Sequence, residues 1–296
     1  MKDIFPNTKM TKAISYSLFG YDRAREKDSF EFDGYARGFF LNVRINRVLF
    51  PDWISVLNID SASYNSPYKP IFDWLKDNTP TEINIFHNGE PLCKAMLRRL
   101  QTVFAYEHPN WRFTHTICRD TDSISTYREA QAVAQWIQED KAIHCITDSV
   151  SHNIPMMGGM CGFRPGYVND RLNITNKIDQ AWDRLIKWGD GIDFSVKGSD
   201  QTFLMRFIYP KLSDSATEHF VLGMKETVPE NNGRHYSIPD IEIDVDPVHK
   251  FLDTCAGHIG AAGCYGSVMM KWLKTMDPYR DEYDEVIKLL PNQLLL

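Results

Sequence analysis

Short apolar runs, each closed by a glycine or a polar residue, recur along the first half of the chain. Runs of this kind are typical of β-strands. They predict strands at Ala13–Phe19, Trp53–Ile59, Ile83–Phe86 and Phe113–Cys118. The spacing between the strands leaves room for helices in between, so the pattern already favours a fold of mixed type.

Helical periodicity separates the last two predicted strands. After Pro91, apolar residues recur at helical spacing, which predicts a helix of about a dozen residues or more. A second helix is predicted from Thr126 to about Asp140, because the segment Thr126 to Glu129 has the form of a capping box. Strands that alternate with helices predict an α/β fold with a mainly parallel sheet, whose ligands bind beyond the carboxyl ends of the strands.

The second half of the chain continues this alternation. Lys141–Ile146 and the glycine-rich Met156–Phe163 are predicted strands, whereas Ile174–Trp188 and Gln201–Ile208 are predicted helices. The mixed charges of Tyr21–Phe32 favour an exposed insertion. No change in composition divides the chain, so we expect one compact domain with a functional boundary near residue 125.

Composition narrows the class of protein. The 296 residues are 43% hydrophobic and 12% aromatic, which is typical of a globular protein with a sizeable core. The net charge of -6 argues against a nucleic-acid partner, because phosphate neutralisation requires a basic surface. The six cysteines form no C-x-x-C pair, and no apolar stretch is long enough to span a bilayer. We therefore expect a soluble, cytoplasmic protein without a membrane span.

The most informative motif is Asp120-Thr121-Asp122, between the fourth predicted strand and the capping box. Two carboxylates on alternate residues just beyond a strand can project into one crevice. A hard divalent cation, Mn²⁺ or Mg²⁺, can bind them there and still bind the oxygens of a diphosphate. The motif therefore predicts a site for a metal and a diphosphate. Asp60, at the end of the second predicted strand, is expected at the same edge of the sheet.

An ordered set of residues surrounds this motif. The set comprises Ile14 to Gly20, Pro51 to Trp53, Met96 to Arg99, Arg119 to Ser123, Arg128, Glu129, Ala132, Val133, Trp136, His144, Asp148, His152 and Gly158 to Met160. It resembles a segment of GT-A-type glycosyltransferases, among them those of large algal DNA viruses and of bacteria that build polysaccharides. The resemblance covers roughly the first 210 residues. Cys161 and Arg98 stand where such sequences often carry tryptophan. The resemblance therefore implies no donor specificity.

The resemblance implies a GT-A-like α/β fold. Residues 1–125 would bind the nucleotide sugar, and residues 126–296 would bind the acceptor and complete the catalytic site. Asp200-Gln201 resembles the Asp-Gln motif of retaining members, which slightly favours retention of the anomeric configuration. His258 is similar to a late metal ligand of the same enzymes, although a structural histidine is the alternative.

The metal site follows from the charge that glycosyl transfer leaves on the departing diphosphate. Asp120 and Asp122 are expected to hold the cation that neutralises this charge, with Asp122 the more direct ligand and Asp120 reaching the metal or a ribose hydroxyl. His258 would complete an oxygen and nitrogen coordination sphere that suits Mn²⁺.

The remaining donor contacts are expected around the first strand ends. Arg99 and Arg119 can contact phosphate or base, or instead pair with nearby carboxylates. Backbone groups at the end of the first strand would bind the nucleobase, and one aromatic ring could stack on it. The other residues expected at the donor are Ser17, Leu18, Phe19, Tyr35, Asp60, Gly158 and Gly159.

Asp148 and Asp200 are the candidate catalytic bases, because each stands at the edge of a predicted element. In an inverting mechanism one of them takes the proton of the acceptor hydroxyl. In a retaining mechanism the departing phosphate can take it, and Asp200 or Gln201 stabilises the cationic sugar. Asp200 could also be an N-cap, a role compatible with either. His152 is expected to contact the acceptor or the donor sugar, or to stabilise its own loop.

The sequence thus predicts a metal-dependent glycosyltransferase that moves a sugar from a nucleotide diphosphate sugar, with UDP as the first choice, to a glycan hydroxyl. A glycan-binding protein of the same fold without turnover and a metal-dependent nucleotide-sugar hydrolase are the alternatives. If the protein is viral, the host cytoplasm is its expected location. The apolar end of Ile287–Leu296 could cover the body of the protein or a second copy, so a homodimer is one option.

Overall fold

One mixed sheet forms the centre of the protein. The computed structural model describes residues 9–22, 31–104, 111–148, 154–174, 178–220, 234–237, 259–260, 277–282 and 288. The strands in this part of the chain are β1 (Lys9–Leu18), β2 (Trp53–Asp60), β3 (Thr81–Phe86), β4 (Trp111–Arg119), β5 (Ile143–Thr147), β6 (Met160–Phe163), β7 (Ala216–Phe220) and β8 (Arg234–Ser237). Their order in the sheet is β3-β2-β1-β4-β6-β5-β7-β8.

Strand β6 differs from its neighbours in direction. It runs antiparallel to both β4 and β5, whereas every other pair of neighbouring strands is parallel. The start of β6 therefore lies at the same edge of the sheet as the carboxyl ends of the other strands. The predicted α/β class, with a mainly parallel, mixed sheet flanked by helices, is confirmed.

Helices connect most of these strands. They are α1 (Glu31–Leu49), α2 (Ser61–Tyr64), α3 (Lys69–Asn78), α4 (Leu92–Met96), α5 (Gln101–Phe104), α6 (Tyr127–Glu139), α7 (Pro165–Leu172), α8 (Ile178–Lys187), α9 (Ser199–Phe203) and α10 (Tyr209–Leu212). Short 3₁₀ segments at Leu97–Leu100 and Ser213–Ser215 and a π-helical turn at Leu204–Ile208 join some of them. Among the described residues, none of the helices has the length and apolar character needed to cross a bilayer.

The sheet is buried on both faces. In β4, Ile117 packs into an apolar cluster with α1, α3 and α6, while Cys118 packs into a second cluster with α4, α7, α8 and α9. Successive residues of a strand point to opposite faces, so the two clusters lie on the two sides of the sheet. Helices on both faces are the usual environment of a mainly parallel sheet.

The predicted N-cap at Thr126 is confirmed. Thr126 has extended backbone dihedrals, and its side-chain oxygen accepts the N–H of Glu129 at 3.2 Å. Helix α6 then ends at Asp140, which adopts a left-handed conformation with φ 56°. The loop that contains Asp120 and Asp122 is therefore fixed at one end by a strand and at the other by a capped helix.

Three predicted elements are wrong in detail. The helix after Pro91 is interrupted by the 3₁₀ segment Leu97–Leu100, where arginines contact other parts of the chain. Met156–Phe163 is a strand only from Met160, because the two glycines before it form a turn closed by the Met160 N–H on the Met157 carbonyl at 3.1 Å. The helix predicted from Gln201 already begins at Ser199 and becomes a π-helical turn at its end.

Helix α1 is absent from the sequence prediction, which assigns Phe32 to an exposed insertion. Phe32 is 4% exposed, and its ring packs edge-on against Tyr21 with centroids 5.2 Å apart. Residues 23–30 of that insertion lie outside the described part of the chain. Phe32, Ala36 and Phe39 are buried at helical spacing, and this periodicity is the signal that reveals the helix.

The sheet crosses the boundary expected near residue 125, since β4 pairs with β6. A segment near the C-terminus also contacts the first half of the chain. Arg44 of α1 pairs with the buried Asp277, and Arg47 Nη1 lies 2.6 Å from Glu282 Oε2. Apart from residue 288, the predicted dimer segment Ile287–Leu296 lies outside the described residues, so the homodimer stays a prediction.

Candidate functional site

Three segments bring polar groups to one edge of the sheet. Asp120 follows β4, Asp148 follows β5, and the Gly158-Gly159 turn precedes β6, which lies between those two strands. A Cβ atom placed on Gly159 would lie 1.9 Å from Asp120 Oδ2. Only glycine leaves space for the Asp120 carboxylate here, so the turn packs directly against the motif.

Arg99 holds the first carboxylate of the motif. Its Nη1 donates to Asp120 Oδ1 at 2.5 Å, and its Nε donates to the Met96 carbonyl at 2.9 Å. The Arg99 side chain is 4% exposed, whereas that of Asp120 is 44% exposed. Burial disfavours the guanidinium charge, but the nearby charges of Asp120 and Asp200 raise the pKa of Arg99 above its ordinary value.

The charge of Asp120 affects the pKa of Asp122, the second carboxylate of the motif. Burial, and then the charge of Asp120, raise the pKa of Asp122 to about 6. The charges of Arg99 and Arg119 lower it by less. The charge of Asp120 thus acts on Asp122, as expected for two carboxylates on alternate residues of one loop.

Asp200 reaches the same place from α9. It is 3% exposed, and a Cβ on Gly158 would lie 3.4 Å from Asp200 Oδ2 and 3.5 Å from Arg99 Nη2. The Asp200 carboxylate and the Arg99 guanidinium thus both lie beside Gly158. The N-cap of α9 is Gly198, so the capping role considered for Asp200 is wrong. Gln201 follows it in the same turn and is partly exposed.

Arg119 supports the site from inside the protein. It is 1% exposed; Nη1 donates to the Gly159 carbonyl at 3.2 Å and Nη2 donates to the Ile124 carbonyl at 3.1 Å. The same Nη1 lies 3.2 Å from Glu129 Oε1. Of the two roles considered for Arg119, the structure contains the ion pair. The guanidinium joins the glycine turn to the loop after Asp122.

Asp148 uses both carboxylate oxygens within the protein. Oδ1 accepts from Arg128 Nη2 at 3.0 Å, and Oδ2 accepts the Ile259 N–H at 2.6 Å. Asp148 is 5% exposed. These contacts are those of an anchor that ties α6 and the Ile259 backbone to the end of β5.

A cavity of ≈ 210 Å³ opens at the carboxyl ends of β1, β2 and β3. Asp60, on its wall, accepts the Gly20 N–H at 3.0 Å and the Ser63 N–H at 2.7 Å, which fixes the turn after β1. Its other lining residues include Phe19, Phe86, Asn88, Gly89, Glu90 and Ala95.

The cavity and the carboxylate pair are close in space. Ala95 lines the cavity, and Arg99 lies one turn further along the same helical stretch. Of the residues predicted at the nucleobase, Phe19 lines the cavity, as does Asp60, which was predicted at the donor. Leu18 is buried in the core, and Ser17 Oγ donates to the Met96 carbonyl at 3.2 Å.

Helix α1 contributes residues that the sequence analysis did not identify. Asn42 is completely buried and contacts the loop around Asp122, and Gly38 packs directly on the Thr121 carbonyl. Tyr35, which is 38% exposed, lies one turn before Gly38 on this helix. Gly38, Asn42 and Asn46 recur four residues apart along this helix, and this spacing is the signal that points to Asn42.

Two predicted site residues lie outside the described part of the chain. They are the predicted ligand His258 and the predicted acceptor residue His152. Within the described ranges, no group of three or more His, Cys, Asp or Glu residues could hold a metal ion by itself.

The carboxylate pair nevertheless fits a hard divalent cation. Asp120 and Asp122 offer oxygen donors of the type that Mg²⁺ and Mn²⁺ bind, and burial together with the charge of Asp120 raises the pKa of Asp122. A cation that binds two carboxylates completes its coordination sphere with water or with substrate phosphates. A diphosphate bound at this edge of the sheet would supply such oxygens.

Comparison with known proteins gives only distant structural likenesses. No family model and no curated protein matches the chain. A solved structure from Desulfovibrio desulfuricans G20, provisionally described as a nucleotide-diphospho-sugar transferase, is 11% identical, covers 94% of this chain and 96% of its own, and has a TM-score of 0.41. A likeness at this level supports no conclusion about function. The proposed function therefore depends on the geometry of the site.

Proposed function

We propose that this protein is a metal-dependent glycosyltransferase that moves a sugar from a nucleotide diphosphate sugar to a glycan hydroxyl. One observation carries the proposal. The interacting pair Asp120 and Asp122 follows the end of a strand, and the buried Arg99 holds Asp120. Arg99 lies one helical turn beyond Ala95, which lines a cavity of ≈ 210 Å³. A nucleoside in the cavity would place its diphosphate at the carboxylate pair.

The cavity is the proposed site of the nucleoside, with UDP as the first choice. Phe19 and Phe86 offer apolar surface for a base, and Asn88 and backbone groups near Gly20 offer hydrogen bonds. Asp60 holds the wall in place through its two backbone contacts. Tyr35 on α1 is a further candidate for contact with the donor.

A Mn²⁺ or Mg²⁺ ion bound by Asp120 and Asp122 would supply positive charge at the departing diphosphate. Arg99 orients Asp120 for this role, because one of its two oxygens is held and the other faces the Gly159 turn. Arg119 keeps that turn in register with the loop. His258 and His152 remain proposed ligand and acceptor residues.

Asp200 is the proposed carboxylate at the reacting sugar. It is buried and lies beside Gly158 together with Arg99, where it can stabilise a cationic sugar or accept a proton. Gln201 follows it. The retaining mechanism is the one proposed, with the departing phosphate as the base. Asp148, whose oxygens both accept hydrogen bonds within the protein, is assigned to support.

Nucleotide release measured with and without an acceptor tests this function. The protein is first screened by thermal shift against a panel of nucleotide sugars with Mn²⁺, since ligands of the native state raise the melting temperature. Acceptor-stimulated release of the nucleotide supports transfer. Release independent of acceptor would make the protein a hydrolase, and glycan binding without release would make it a glycan-binding protein.

A further inference from the structure

The loop that carries Asp120 and Asp122 is held by one buried side chain of α1. Asn42 Nδ2 lies 3.2 Å from the Thr121 carbonyl oxygen and 3.0 Å from that of Ser123, and Asn42 Oδ1 accepts the Ser125 N–H at 3.2 Å. The side chain is fully buried. One amide thus contacts the backbone on both sides of Asp122.

A second feature of α1 limits the position of the same loop. A Cβ atom on Gly38, one turn before Asn42, would lie 2.1 Å from the Thr121 carbonyl oxygen. Real Cβ atoms do not approach a carbonyl this closely, so any larger residue at this position must displace the loop or the helix. Helix and loop are therefore in direct backbone contact at the residue between the two carboxylates.

These two observations support a role in ligand geometry. The peptide group is planar, so a fixed Thr121 carbonyl also fixes the orientation of the Asp122 N–Cα bond. Together with the contact between Asn42 and the Ser123 carbonyl, this restricts the direction in which the Asp122 side chain leaves the backbone. We propose that Asn42, assisted by Gly38, is a positioning residue that sets the relative orientation of Asp120 and Asp122 and thereby their affinity for a divalent cation.

The proposal rests on the cation site of the proposed function and deepens it. Residues that orient the ligands of a metal change its affinity by roughly 10-fold to 100-fold when they are replaced. Asn46, one turn further along α1, contacts side chains rather than the backbone of the loop. It accepts from Ser125 Oγ at 2.9 Å and donates to Tyr16 Oη at 2.8 Å, so it joins the far end of the loop to the sheet.

The test is a titration of the full chain with Mn²⁺ alone, in which electron paramagnetic resonance reports the free ion. The positioning variants are Asn42→Ala and Gly38→Ala, with Asn42→Asp as a near-isosteric second form. Asn42→Asp still accepts the Ser125 N–H but loses the amide donor that faces the Gly38, Thr121 and Ser123 carbonyls. Asp122→Ala defines the loss of the site itself. Melting temperatures are measured for every variant.

Val43→Ala is the matched control. Val43 is 2% exposed on the same helix and packs into the apolar cluster. It should lower the melting temperature and leave the Mn²⁺ affinity of the folded protein unchanged. This control separates the effect of a less stable helix on Mn²⁺ binding from the effect of a misplaced loop.

We expect the Asn42 and Gly38 variants that fold to bind Mn²⁺ at least about 10-fold more weakly than the unmodified protein. Unmodified affinity in folded Asn42→Asp or Gly38→Ala, together with loss of binding in Asp122→Ala, would overturn the positioning role and leave the proposed function standing. An unmodified protein that binds no Mn²⁺, or binding that persists in Asp122→Ala, would remove the cation site and the positioning role with it.

Discussion

Arg99 Nη1 lies 2.5 Å from Asp120 Oδ1, and the arginine is almost completely buried while the aspartate is close to half exposed. A buried guanidinium that reaches outward to one exposed carboxylate fixes that carboxylate before any ligand arrives. Pre-organised charges of this kind stabilise developing charge more effectively than mobile ones. The ion pair is therefore a structural basis for the proposed donor site.

Replacement of Arg99 by Met should impair donor turnover far more than folding. Asp120 loses its orientation, and Asp200 loses a neighbouring positive charge, so we expect turnover to fall by about 100-fold. The exposed fraction of Asp120 allows water to solvate it, which limits the loss of stability to about 1–2 kcal/mol. Nucleotide release and urea denaturation measure the two effects.

Arg164→Met is the control for this change. Arg164 pairs with Asp140 at 2.8 Å on the surface, away from the carboxylate pair. Its loss should change stability by less than about 1 kcal/mol and leave turnover unchanged. Equal effects of the two arginine variants on turnover would argue against a specific role for Arg99.

Asp200→Asn and Asp148→Asn should separate a reacting group from an anchor. Loss of the Asp200 charge is expected to lower turnover by about 100-fold or more with little change in melting temperature. Asp148→Asn removes the charge partner of Arg128 and should destabilise the fold by about 1–3 kcal/mol, with a much smaller effect on turnover of the folded protein. The opposite ranking would assign the reacting carboxylate to Asp148.

The variant Ala95→Leu tests the cavity as the nucleoside site. Ala95 is 2% exposed and lines the cavity, so a larger side chain should occupy part of the ≈ 210 Å³. We expect the thermal shift produced by UDP to be lost while Mn²⁺ binding without nucleotide is retained. If UDP still raises the melting temperature of the folded variant by the unmodified amount, the nucleoside binds elsewhere.

A buried histidine pair predicts how stability depends on pH. His144 Nε2 lies 2.9 Å from His219 Nδ1, and His219 Nε2 lies 3.1 Å from Gln135 Oε1. His219 Nε2 donates to the amide oxygen, so its Nδ1 accepts the proton of His144 Nε2. Burial lowers the pKa of His219 to about 4 and places that of His144 well below its ordinary value.

Both pKa values are lowered on folding, so the unfolded chain binds more protons below its own histidine pKa. The free energy of unfolding should be fully retained above pH of about 6.5 and fall as the pH drops toward 4, by up to about 1.4 kcal/mol per pH unit for each histidine. Urea denaturation between pH 7 and 5 measures this slope. His219→Asn should make it shallower, and a slope unchanged by that substitution would contradict the assignment.

The parts of this site that follow from local sequence are the ones that could be predicted. Asp120 and Asp122 stand between an apolar run and a capping box, and both features depend only on neighbouring residues. The structure places the capping bond at Thr126 and Glu129 as the spacing indicates. The sheet type also follows, because alternating strands and helices leave few arrangements open.

The parts that depend on long-range contacts could not be predicted. Arg99 and Asp120 are 21 residues apart, and Asn42 reaches Thr121 across 79 residues. Charge alone did not distinguish the orienting role of Arg99 from the internal ion pair of Arg119. Helix α1 was missed although its apolar residues have helical spacing, since the charged segment before it dominated the pattern.

The dependence of donor binding on the cation tests directly whether Asp120 and Asp122 form a cation site. The dissociation constant of UDP is measured by calorimetry with and without Mn²⁺, for the unmodified protein and for Asp122→Ala. We predict that Mn²⁺ tightens binding by at least about 10-fold in the unmodified protein and has no effect in the variant. Binding that is equally tight without Mn²⁺, or that keeps its full Mn²⁺ dependence in Asp122→Ala, would contradict a cation site at Asp120 and Asp122.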